Sequence, residues 1–249
     1  MILVTGPTGS GKTTTLYTLI RMLSTPEVSI VTIEDPIECS MEGISQIQIN
    51  PRSGLTFANG LRSILRQDPN IIMVGEIRDT ETAMIAVNTA LTGHLLLSTL
   101  HTNDAATTLP RLLDMGIDAY LVASTVNIAV GQRLVRRICK ACKEKTRLTP
   151  AEKESLKSYF AKHEKEDMTF YQGKGCATCG ETGYHGRVGV NEVLVVDDEI
   201  RDAILRKSSA AVIRDIAVKN GMTTMFEDGL SKALNGDTTV AELLRTINE

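Results

Sequence analysis

Tryptophan is absent from this chain, and aromatic residues make up only 4% of its 249 residues. The core must therefore come from Leu, Ile, Val, Ala and Met, and a 42% hydrophobic content is enough to build one. No apolar run approaches about 18 residues, so no membrane-spanning helix is expected. No signal peptide is legible. A formal net charge of −3 lacks the basic excess of a protein whose main task is gripping nucleic acid. Neither an internal repeat nor a low-complexity linker is visible. The length suits one large domain or two small ones.

The strongest positive signal lies at the very start. Gly6-Pro7-Thr8-Gly9-Ser10-Gly11-Lys12-Thr13 fills every defining position of a P-loop. The apolar run Ile2-Leu3-Val4 precedes it, and a helical pattern from Thr14 to Ile20 follows. The glycines let successive backbone N–H groups curl around phosphate oxygens, and the helix N-terminus adds partial positive charge. Lys12 is expected to reach the β- and γ-phosphates, Thr13 to face Mg²⁺, and Thr14 to complete the loop's contacts with ATP. A chain that opens directly on its phosphate-binding strand reads as a fragment of a longer protein.

Strand and helix signals then alternate. Residues 28–33, 44–49, 71–74 and 95–100 read as strands, and 56–67 and 80–91 as helices. Such alternation implies an α/β fold with a mainly parallel sheet. Residues 104–138 read as helical, as does the chain after Val190, with breaks near Ser208, Gly221 and Gly236. Residues 143–168 are rich in Lys and Glu, and a helix start is expected at Thr149-Pro150.

Ligands of open parallel sheets bind beyond the carboxyl ends of the strands. Three segments place chemistry there. Glu34 ends the first internal strand, in Glu34-Asp35-Pro36. Glu76 follows the apolar run Ile71 to Val74, as in a Walker B strand, but Gly75 stands where an Asp is usual. Either carboxylate suits a general base, and residue type alone does not choose between them. His101, after the strand 95–100, is a candidate γ-phosphate sensor, with His94 the weaker of the two histidines. Arg62, Arg66, Arg78, Arg133, Arg136 and Arg137 recur near this level; most read as ion-pair partners, and Arg78 is the first choice for a phosphate or interface role.

Four of the five cysteines fall in two pairs, Cys139-x-x-Cys142 and Cys176-x-x-Cys179. In a reducing compartment this pattern reads as a closed four-thiolate site, for which Zn²⁺ is the natural ion, with a structural role. Cys39 has no sequence partner and reads as incidental.

Together these segments resemble the secretion ATPases that power type II secretion and type IV pilus assembly. The resemblance rests on the P-loop, Glu34-Asp35-Pro36, Gly54-Leu55-Thr56-Phe57 with Leu65-Arg66-Gln67-Asp68-Pro69, Met73 to Asp79, the histidine segment 93–103, Gln132 to Arg137, and the cysteine pairs. It accounts for Gly75, since the family's Walker B motif also lacks the Asp. It implies a RecA-like motor, cytoplasmic and hexameric. Such a motor acts at the inner membrane through a platform protein and a cytoplasmic adaptor, without direct nucleic-acid contact. The cysteine pairs are typical of the assembly branch rather than the retraction branch. The implied division is a P-loop core at 1–138, a zinc subdomain at 139–190 and a helical region at 191–249. The family's N-terminal domain, which supplies arginines to the nucleotide, has no counterpart here, so ATP binding with poor hydrolysis is expected. A nucleotide-gated scaffold, a retraction motor, a nucleic-acid translocase and a P-loop kinase are the competing readings.

Overall fold

A computed structural model describes residues 1–157, 159 and 168–248. The remaining residues of the charged excursion, 158 and 160–167, lie outside the described ones. The strands are β1 Ile2–Thr5, β2 Ile30–Glu34, β3 Ser45–Gln48, β4 Ile71–Val74, β5 Leu95–Leu100, β6 Ile128–Ile138, β7 Lys143–Thr146, β8 Phe170–Gly173 and β9 Tyr184–Val195. The first five helices are α1 Lys12–Leu23, α2 Phe57–Ile64, α3 Thr80–Leu91, α4 Ala105–Asp114 and α5 Ala119–Thr125. They are followed by α6 Pro150–Ser155, α7 Asp198–Leu205, α8 Ala210–Lys219, α9 Met225–Leu234 and α10 Val240–Asn248. No helix among the described residues is long and apolar enough to cross a membrane.

The main sheet runs β3-β2-β4-β5-β1-β6-β9, and β7 and β8 form a separate antiparallel pair. The pairings β2–β3, β2–β4, β4–β5, β1–β5 and β1–β6 are all parallel. Successive strand residues face opposite sides. Leu3, Ile72 and Leu96 accordingly enter one core with α2 to α5, while Val4, Met73 and Leu97 enter another with Leu16 and Ile20 of α1. Burial on both faces explains why these strands read as continuous apolar runs.

Local chemistry sets the helix starts. Asp79 accepts the Thr82 N–H at 2.8 Å and Asp104 the Thr107 N–H at 2.7 Å, each capping the helix that follows. Thr149 and Glu152 form a reciprocal capping box at α6, where a helix start was expected. The helix expected over 56–67 ends at Ile64 and tightens into a 3-10 turn at Leu65–Gln67.

The helical reading of 104–138 needs correction. Gly116, at φ 83°, ends α4, α5 stops at Thr125, and 128–138 is strand β6. Its backbone pairs with β1 from Ile2↔Ile128 to Thr5↔Gly131, and a strand partner is invisible to local periodicity.

The chain forms two compact units, Met1–Gln132 with Glu192–Met222, and Arg133–Asn191 with Thr223–Glu249. They differ from a contiguous cut at 138 and 190. Apolar packing decides the split: Ile200, Ile204 and Ile213 join the core of Leu3 and Ile33, whereas Met225, Leu230 and Leu243 pack with Val135 and Phe170.

Inside the second unit, Glu242 is buried and accepts hydrogen bonds from Arg136 Nη2 at 2.7 Å and Arg245 Nη2 at 3.0 Å. Burial pushes its carboxyl up, but the two guanidinium groups outweigh that and hold it down at about 2. A carboxyl depressed in the folded state stabilises above its unfolded value and loses that contribution as pH falls through the folded one. Glu242→Gln is expected to cost about 2 kcal/mol at neutral pH. The difference in unfolding midpoint between wild type and variant should shrink as pH falls from 4.5 to about 2, which melts across that range would follow.

Candidate nucleotide site and tetracysteine centre

Parallel register carries the candidate residues to one edge of the sheet. Thr5 lies opposite both Leu100 and Gly131, and Ile33 opposite Val74. The residues that follow, Gly6, His101, Gln132, Glu34 and Gly75, therefore lie toward the same end of the sheet.

Loop 6–11 turns through positive φ at Gly6, Gly9 and Gly11 before α1 begins at Lys12. Gly6 is obligatory, because a Cβ there would lie 2.2 Å from the Gln132 carbonyl oxygen and 2.8 Å from Ser10 Oγ. Pro7, Thr8 and Gly9 are exposed at the tip, Thr13 is partly buried, and Thr14 is exposed. Lys12 is buried and donates to the carbonyls of Gly6 and Pro7, both at 2.9 Å. Burial lowers its ammonium below the ordinary lysine value, partly offset by the charge of Glu76. Ser10 Oγ is buried without a hydrogen-bond partner. A loop with an orphaned inner hydroxyl, a buried cation and a floor too tight for a Cβ is suited to an anion.

Glu76, Arg78 and His101 come together. Glu76 is 8% exposed and accepts from Arg78 Nε at 2.5 Å, with His101 Nε2 3.2 Å from the same oxygen. The bonds Ile77 N–H to Thr99 carbonyl at 3.0 Å and Thr99 hydroxyl to Gly75 carbonyl at 2.8 Å stitch this segment to β5. A Cβ on Gly75 would press to 3.3 Å on Glu34 Cα and the Ile33 carbonyl, which is a packing reason for glycine where an Asp is usual.

Glu34 occupies a different environment. It is buried, and its two oxygens accept from the Tyr17 hydroxyl, the Thr32 hydroxyl and Gln46 Nε2. Tyr17, in turn, accepts the Glu38 N–H at 3.2 Å; burial, reinforced by Glu34, pushes its phenol up to about 12. His94 lies before β5, at the opposite sheet edge from His101, with Nδ1 3.2 Å from the Thr89 carbonyl. Arg62, Arg136 and Arg137 form ion pairs with Glu81, Glu242 and Asp237.

Four participants were not singled out for roles by residue reasoning: Thr5, Tyr17, Thr102 and Gln132. The Thr5 hydroxyl accepts the Thr102 N–H at 2.9 Å, and Gln132 bonds both Ser10 and Thr15. Thr5, Thr102 and Gln132 are identified by strand order, and Tyr17 by the packing of α1 on the sheet beside Glu34.

In the second unit, the sulfurs of Cys139, Cys142, Cys176 and Cys179 all lie within 4.8 Å of one another. Cys139–Cys176 and Cys142–Cys179 are each 3.9 Å apart, and Cys176–Cys179 are 3.7 Å apart. A tetrahedron with bonds of about 2.3 Å has edges of about 3.8 Å, so the donor set fits a closed four-sulfur metal site. Burial alone would raise the Cys179 thiol, but N–H groups of Cys176 and Gly183 aimed at its sulfur bring it below the ordinary range, whereas burial and the neighbouring cysteines push Cys142 up to about 12.

The family described as Type II/IV secretion system protein matches residues 1–245. The chain is 52% identical over 250 residues to type II secretion system protein E of Xanthomonas campestris pv. campestris, covering 100% of this chain and 44% of that protein. It is 51% identical over 249 residues to the type IV pilus assembly ATPase PilB of Thermus thermophilus, covering 99% of this chain and 28% of that one. The chain thus spans less than half the length of these curated relatives. Among solved structures, the pilus retraction motor PilT with bound ADP superposes with a TM-score of 0.71 at 28% identity, over 98% of this chain and 60% of that one. The ATPase DotB of Legionella pneumophila gives 0.69 at 27% identity, over 98% and 58%.

Cys176→Ser should remove one sulfur donor of the cluster. Elemental analysis is expected to show loss of bound metal, and the unfolding midpoint to fall by roughly 5 °C or more. A purified chain without stoichiometric metal, melting as the variant does, would sink the metal assignment.

Proposed function

The chain belongs to the Type II/IV secretion system protein family, and from that premise we propose that it is the motor portion of a Mg²⁺-dependent ATPase. Its turnover drives pilin or pseudopilin assembly, in type IV pilus biogenesis or type II secretion. The observation that carries this reading is the meeting of Lys12 and its loop with Glu76, Arg78 and His101 at one sheet edge.

Bound Mg²⁺-ATP supplies the γ-phosphoryl group and much of the charge neutralisation. Residues Gly6 to Thr14 hold the phosphates, with Lys12 exchanging its two loop carbonyls for phosphate oxygens and Thr13 facing the metal. Glu76 is the base that orients and deprotonates water. Its single occupied oxygen leaves acceptor capacity, and Arg78 and His101 set its position. Glu34 serves as an anchor, because three donors already engage its two oxygens. The motor works as a homo-hexamer in the cytoplasm; the 64% exposure of the Arg78 side chain is what supports an interface role for it. A platform protein and an adaptor hold it at the inner membrane. Zn²⁺ closes the four-cysteine site, a feature that favours assembly over retraction.

Phosphate release measured over a wide range of protein concentration tests this reading. Specific activity should rise steeply with concentration, as a site completed by neighbours requires. Glu76→Gln should keep ATP binding while turnover falls about 10²–10⁴-fold, and Lys12→Ala should lose both. Normal hydrolysis by Lys12→Ala would rule the proposed site out.

A further inference from the structure

One buried amide outside the P-loop motif holds the loop at two points. Gln132 is 5% exposed and follows Gly131, the residue of β6 that lies opposite Thr5. Its Nε2 donates to the Ser10 carbonyl at 2.7 Å, and its Oε1 accepts from the Thr15 hydroxyl at 2.7 Å. Its own carbonyl forms the wall against which Gly6 packs. One residue therefore touches the loop's start, its last peptide and the first turn of α1.

The geometry has a chemical consequence. A trans peptide is planar, so the C=O and N–H of the Ser10–Gly11 unit point in opposite directions. Drawing the Ser10 carbonyl to Gln132 turns the Gly11 N–H away from β6 and leaves it free for an anion. The bond to Thr15 fixes the helix turn that follows. Pre-set donors bind an anion more tightly than donors that must first be ordered.

We propose that Gln132 is a positioning residue for polyphosphate binding, holding the loop's N–H groups in their binding arrangement before a nucleoside di- or triphosphate arrives. The proposal rests on the nucleotide reading above. It assigns Gln132 no contact with the ligand and no part in the chemical step.

The test uses the full chain, ADP as probe, and amide hydrogen exchange of residues 6–15 without nucleotide. Gln132→Ala is expected to weaken ADP about tenfold, speed exchange across the loop, and raise the KM for ATP while kcat stays within about twofold. Gln132→Glu keeps the acceptor for Thr15 but loses the donor to Ser10, so it should bind ADP no better than Gln132→Ala. Thr15→Val should weaken ADP less, and its effect should largely vanish when combined with Gln132→Ala. Unchanged exchange and ADP affinity in Gln132→Ala would overturn the proposal, as would full recovery in Gln132→Glu. Failure of the wild-type chain to bind ADP overturns the nucleotide reading itself, an outcome distinct from wild-type binding that the variants leave intact.

Discussion

The candidate site depends on the register in which β1 lies between β5 and β6. Thr5 opposite Leu100 and Gly131 places Gly6 beside His101 and Gln132. Side-chain bonds reinforce the alignment, with the Thr5 hydroxyl donating toward the Leu100 carbonyl at 3.0 Å and accepting the Thr102 N–H. A slip of one residue would exchange Leu3 and Val4 between the two cores. The same register thus governs packing and chemistry, and apolar burial on both faces makes a slipped site expensive to form.

Environment separates two carboxylates that look alike in sequence. Glu34 is enclosed by hydroxyl and amide donors from α1, β2 and β3. Glu76 meets the cationic Arg78 and the protonatable His101, and its charge acts on Lys12. Gly75 links the two, because its missing side chain lets the end of β4 lie close against the backbone of Glu34. In the second unit a different economy of backbone bonds operates. Cys139 N–H donates to the Gly183 carbonyl at 2.9 Å and Lys174 N–H to the Cys142 carbonyl at 3.0 Å, drawing the two cysteine pairs together.

Much of this was legible in the sequence because it is local. The P-loop, the apolar strands leading to Glu34 and Glu76, the cysteine pairs and the helix start at Thr149 each fall within a few residues. Strand β6 was not legible: its residues 128–138 alternate poorly, and their pairing with β1 spans more than a hundred positions. The return of α7 and α8 to the first core was equally hidden, since an amphipathic helix records that it has an apolar face but not what covers it.

Sequence by itself determined the donor groups and their spacing: the loop that can cradle phosphate, the thiols that can close on a metal, and two acids at strand ends. Tertiary structure decided which of them meet. It joined Glu76 to His101 and Arg78, gave Glu34 to Tyr17, and set Gln132 behind the loop. The reason is physical: hydrogen bonds and charges act over a few ångströms, and only strand order and register bring residues so distant along the chain within that range.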